Sequence, residues 1–282
     1  MKKIIGFFRL IRFELPFSAG VCVVMGQLLA SGKFASIPIT VLGFLSVFSI
    51  SASILVLNDY FDFETDKINA PERPIPSNMV TRREALYFSI FLLIGGLILS
   101  YLLGNPVFVF SILLSVIGFL YNRKYKQSGL AGNIMVSFSV GMTFIYGGMT
   151  VGAPFNKSVL FFGVIAALID LGEEIAADAM DMQGDSLIDS SSLAIKYGKN
   201  TALITSSVIF ILVIVLSGLP FILRWFKVVY LLPISIMDTA IGWSTFKLWK
   251  TDDRQRRRYI RRIYLGSTLG ILIFIIMRAM EI

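Results

Sequence analysis

Apolar residues in this 282-residue chain come in runs long enough to cross a bilayer, and that constrains the fold more than any other feature. Hydrophobic residues make up 56% of the chain and charged residues 16%. Soluble domains average about 45–50% and about 25%. Mean hydropathy is +0.77. Nine runs qualify as spans, at roughly 15–31, 38–57, 82–104, 106–121, 130–150, 155–175, 200–223, 226–247 and 259–280. Tight breaks at Gly104-Asn105-Pro106 and Gly152-Ala153-Pro154 separate neighbouring runs. The first run is expected to be a span and not a removable signal, because no short basic segment and cleavage site stand apart from it. The predicted fold is an all-α, polytopic membrane protein of nine transmembrane helices.

Basic residues test that map. With nine spans, Lys33, Lys157, Arg224, Lys227 and Arg278 fall on one face, five of the 26 in the chain. All the others share the face with the N-terminus. Cytoplasmic loops carry the Lys/Arg excess, so the N-terminus and the loops after even-numbered spans are expected in the cytoplasm of a cell-membrane protein. In so apolar a chain the net charge of +8 points to orientation and contact with anionic membrane lipid, not to nucleic acid.

Histidine is absent and Cys22 is the single cysteine. Histidine bases, Ser-His triads, disulfides and thiolate zinc sites are therefore excluded. Any metal must be held by oxygen, which favours Mg²⁺, Mn²⁺ or Ca²⁺.

Twelve of the 18 acidic residues lie in two segments, 59–72 and 170–189, at same-face ends of the second and sixth runs. Each contains D-x-x-D-x-x-x-D: Asp59, Asp62 and Asp66, then Asp178, Asp181 and Asp185, at a constant offset of 119 residues. The same offset superimposes most of the spans. This predicts two parallel four-helix repeats, about 1–128 and 129–282, with the last helix added to the second, in a single domain. Carboxylates at i, i+3 and i+7 share one helix face and repel, and desolvation near a membrane adds to the cost. A solvated acidic loop would explain one cluster. Two matched clusters point to two Mg²⁺ ions flanking a diphosphate, because Mg²⁺ takes few carboxylates and fills its shell with phosphate oxygens. Lys67, Arg73, Arg123, Lys124, Lys126 and Lys196 lie on the same face and are candidate direct phosphate ligands.

Asn58-Asp59-Tyr60-Phe61-Asp62-x-x-x-Asp66 with Lys67-Ile68-Asn69 and Arg73-Pro74-Ile75-Pro76 closely resembles the first signature of the UbiA family of intramembrane prenyltransferases. Asp178-x-x-Asp181-x-x-Gly184-Asp185, followed by Ala194-Ile195-Lys196-Tyr197-Gly198, resembles the second. The resemblance covers essentially the whole chain. It implies helices around a central cavity, an allylic isoprenyl diphosphate donor and a lipophilic acceptor. It assigns Asn58, Asp62 and Asp66 to one Mg²⁺ and Asp181 and Asp185 to the other. Asp178 would orient or deprotonate the acceptor, and Tyr121 and Lys124 would lie about the diphosphate. The chemistry implied is ionisation of the donor in a cavity that keeps water from the allylic cation.

Asp66-Lys67-Ile68-Asn69 and Arg-Pro-Ile-Pro are most similar to the branch making archaeal ether lipids, which adds a geranylgeranyl group to geranylgeranylglyceryl phosphate. Glu173 and Ala177 stand where that branch usually has basic residues, so aromatic acceptors of quinone biosynthesis remain an alternative. A cation transporter is the competing class, but transport sites lie near the midplane. The Asp-Gly-x-x-Ala-Arg motif of CDP-alcohol phosphotransferases is absent.

Overall fold

The computed structural model describes residues 2–186 and 190–280, without the side chains of 183–185 and 254. Among the described residues there are helices and no strands. A short helix α1 (Lys2–Ile11) precedes the first long one, α2 (Glu14–Ser31). Then come α3 (Ile37–Phe61), the short α4 (Phe63–Asn69), α5 (Arg82–Leu102), α6 (Asn105–Arg123) and α7 (Leu130–Thr150). The second part holds α8 (Lys157–Asp185), the short α9 (Leu193–Tyr197), α10 (Lys199–Ser217), the one-turn α11 (Leu219–Ile222), α12 (Leu231–Lys250) and α13 (Asp253–Ala279).

Local chemistry sets the ends. Thr81 and Glu84 form a reciprocal capping box at the start of α5. Asp252 accepts from the Gln255 backbone N–H at the start of α13. Gly32, at φ 70°, closes α2 in the left-handed conformation. Pro38 and Pro106 sit in the first turns of α3 and α6, where a missing N–H costs nothing.

Among the described residues, eight helices are long and apolar enough to cross a membrane, one fewer than the nine runs expected. The remaining run, 155–175, lies within α8, where Asp170, Glu173 and Glu174 interrupt the apolar stretch. Their side chains line the central cavity, so the charges that set α8 apart from the other long helices lie on its inner face, in a stretch that is otherwise apolar. Lipid-facing positions elsewhere are large and apolar, as at Phe91, Ile98 and Val215.

The offset of 119 residues carries α2 onto α7, α3 onto α8 and α5 onto α10, while α6 falls several residues short of α12. Packing follows the same correspondence: α2 lies along α3 as α7 lies along α8, and α3 along α5 as α8 along α10. One difference matters for the site. The helix after Asn58 breaks at Asp62, whereas α8 runs unbroken through Asp178 and Asp181.

Candidate active site

The end of α3 and the break behind it distribute the first motif around a buried ion-pair cluster. Asp59 is 1% exposed and is held by Arg12, with Arg73 at 3.6 Å. Asp66, carried round by α4, pairs with the same Arg73. Asp62, at the break, pairs with Lys126. Asn58 donates from Nδ2 to Asn122 Oδ1 at 2.9 Å, and Asn122 donates to the Ile54 carbonyl at 3.0 Å. Burial pushes the Asp66 carboxyl above its ordinary pKa, and Arg73 opposes the shift. Burial alone would lower Arg73 and Lys126, but the carboxylates outweigh it and raise both.

The second motif faces the first. Asn69 of α4 donates to the Asp181 backbone carbonyl at 3.4 Å, which joins the two segments. Arg257 of α13 pairs with the Asp181 carboxylate and donates to the Met180 carbonyl at 3.1 Å. Asp178 accepts from Asn133 Nδ2 at 2.9 Å. The side chain of Asp185 lies outside the described residues. Further into the bundle on α8, Glu174 accepts from the Tyr121 hydroxyl at 3.4 Å and Asp170 from Ser137 at 2.9 Å. Glu173 leaves Oε1 buried without a partner.

Both motifs open into one cavity of about 690 Å³. Of the sequence-derived site residues, Asn58, Asp62, Asp66, Arg73, Tyr121, Lys126, Asp178 and Asp181 line it. Four others stand apart. Lys67 is exposed, pairs with Glu64 at 2.8 Å and lies over the Phe63 ring. Arg123 and Lys124 are exposed and line a separate ≈120 Å³ groove behind Asp62. Lys196 is exposed on α9 and lines neither cavity nor groove. The 3₁₀ turn Tyr125–Ser128 explains the exchange, since it turns Lys126 inward beside Asp62 and leaves Lys124 outside. Arg12, Asn122, Arg257 and the acids Asp170, Glu173 and Glu174 are the cavity residues that the motif spacing does not reveal.

No set of three or more metal-capable side chains converges among the described residues, and arginine and lysine pair with the first-motif carboxylates. The donors nonetheless fit a hard cation. All are oxygens, and Asp59 Oδ2 and Asp66 Oδ2 are buried without partners. A buried carboxylate oxygen left unmatched is costly unless a further positive group reaches it.

Helices enclosing a cavity, apolar within and lined at one end by two facing carboxylate motifs with arginine and lysine, define a membrane-embedded enzyme for amphiphilic anions. The chain belongs to the UbiA prenyltransferase family, which residues 19–267 match. It is 35% identical to the digeranylgeranylglyceryl phosphate synthase of Methanococcus aeolicus, across 97% of this chain and 98% of that protein. A solved structure concerned with digeranylgeranylglyceryl phosphate synthase in membranes matches with a TM-score of 0.69 at 31% identity, covering 97% and 98% of the two chains. A UbiA homologue from Archaeoglobus fulgidus bound to GPP and Mg²⁺ shares the fold, with a TM-score of 0.73 at 17% identity over 95% and 97% of the chains. The chain is thus an integral membrane prenyltransferase.

Proposed function

We propose that this protein transfers a geranylgeranyl group from its diphosphate to the hydroxyl of geranylgeranylglyceryl phosphate. The observation that carries the acceptor is the near full-length similarity to proteins named for that product. Arg73 and Lys126, already beside Asp66 and Asp62, hold the diphosphate oxygens. Asn58, Asp62 and Asp66 hold one Mg²⁺, and Asp181 and Asp185 a second. When bound, the metal stabilises charge developing on the leaving diphosphate. Asn122 orients Asn58. Asp178 lies beside the acceptor, and Tyr121 lines the path below the diphosphate. The apolar walls keep water from the allylic carbon.

The basic asymmetry supports a cell-membrane protein with both motifs at the cytoplasmic face, and α8 as a ninth span in a single domain of repeat halves 1–128 and 129–282. Labelling of single cysteines placed at Lys33 and Asn156 should report the outer face. Labelling of both from the cytoplasm would overturn that orientation.

The acceptor is tested with purified protein, labelled geranylgeranyl diphosphate, and a panel of geranylgeranylglyceryl phosphate, 4-hydroxybenzoate and dihydroxynaphthoate. Ether-lipid product is expected. Product from the aromatic acceptors alone would refute this acceptor and leave the prenyltransferase assignment standing.

A further inference from the structure

Deeper than the motifs, two helices of the bundle touch backbone to backbone. A Cβ on Gly26 of α2 would lie 2.3 Å from the Phe144 carbonyl oxygen of α7, and one on Gly147 of α7 would lie 2.2 Å from the Val23 carbonyl oxygen of α2. No side chain fits between the helices there, so the pair forms a partition. Neighbouring residues of α2, turned about 100° from each other, fall in different clusters. Val23 joins a cluster with Val47, Val107 and Tyr146, whereas Cys22 joins Met25, Phe144 and Phe162.

The cavity wall reaches into both regions, with Val47 and Leu114 of α3 and α6 on one side and Ala166, Ile234 and Phe274 of α8, α12 and α13 on the other. Each branch has its own floor. Tyr146 closes the first, its hydroxyl 2.6 Å from Ser46 Oγ. A chain of rings closes the second, with centroids 6.4 Å apart for Phe144–Phe162, 5.9 Å for Phe162–Phe226 and 5.5 Å for Phe226–Phe274. The mouths differ in charge as well. On the side of the first, Asn58, Asn122 and Lys126 line the cavity; on the side of the second, it is lined by Arg257 and Arg261 of α13, which pair with Asp181 and Glu14, and by Asp170, Glu173 and Glu174 of α8.

We propose that the two branches are separate tail subsites: the α3–α6 branch takes the isoprenyl tail of the donor, and the α12–α13 branch takes the apolar tail of a phosphate-bearing acceptor. The assignment of the second branch rests on the acceptor argued above. Both substrates carry long apolar chains whose burial drives binding in proportion to length. Two chains in one slot would compete, whereas a forked cavity seats both and brings their reactive ends together under the facing motifs. Helical rise puts Leu114 about 12 Å below Asn122 and Ala166 about 18 Å below Asp178, well along either tail.

Leu114→Trp and Ala166→Phe in the full-length, bilayer-reconstituted protein test this through separate KM measurements for each substrate. Leu114→Trp should raise the KM for geranylgeranyl diphosphate roughly tenfold or more, leave the acceptor KM near wild type, and recover with geranyl diphosphate. Ala166→Phe should do the reverse, and recover with an acceptor of shorter tail. A general folding defect would lower turnover with every substrate and would not respond to tail length. Equal effects of either variant on both substrates would overturn the partition, and a crossed pattern would overturn the assignment. Wild-type protein inert toward geranylgeranylglyceryl phosphate would overturn the acceptor and the second subsite with it, a result distinct from either pattern.

Discussion

Asp59, Asp62 and Asp66 each meet a cation, from Arg12, Lys126 and Arg73. The matching stretch of α8 is furnished differently. Asp178 accepts from the neutral Asn133, and Asp181 meets Arg257, whose side chain is 44% exposed. Asp170 and Glu174 accept from hydroxyls. Equal spacing of aspartates therefore does not mean equal surroundings. The first motif has its buried carboxylates held by arginine and lysine around a broken helix, whereas Asp178 and Asp181 of the second hang from one continuous helix and meet an amide and a half-exposed arginine.

The largest effect expected on this comparison is from metal removal, which acts on both motifs at once. EDTA should abolish transfer and Mg²⁺ restore it; full activity in chelator would end the diphosphate reading of both. Next are single substitutions. Asp62→Asn and Asp181→Asn should each lower turnover by roughly 10²–10³, the cost of losing key electrostatic stabilisation. A steady-state assay giving near wild-type rates for one of them would show that the motifs do not share the work.

Stability separates the two regions further. Arg73→Met leaves Asp59 and Asp66 buried without that partner and should cost about 3–5 kcal/mol. Arg257→Met removes a pair open to solvent, with Asp181 32% exposed, and should cost about 1 kcal/mol or less. Thermal unfolding of both variants checks the contrast, and equal losses would contradict it.

The spans and the motif spacing were legible because hydropathy, turns and charge are local properties. The bracing was not. Arg12 reaches Asp59 across 47 residues, Lys126 reaches Asp62 across 64, and Arg257 reaches Asp181 across 76. Charge pattern offered Lys124 and Lys126 alike and the family resemblance singled out Lys124, but the tight turn after α6 places Lys126 inside. Arg12 looked like one more topology charge. Asp170, Glu173 and Glu174 were visible as an acidic run, but that they face a cavity follows from how α8 packs. Their three charges also account for the one expected span that is not among the eight.

Arg12 lies in the joint between α1 and α2, at φ 48°, a left-handed conformation that a residue with a side chain rarely adopts and that costs of the order of 1–3 kcal/mol. It also precedes residue 19, where the family match begins. The stretch that the family model matches and the residues that brace the first motif therefore do not coincide. Removing the arm ahead of the first span would keep every aspartate in the sequence and strip the first motif of a charge supplied by Arg12.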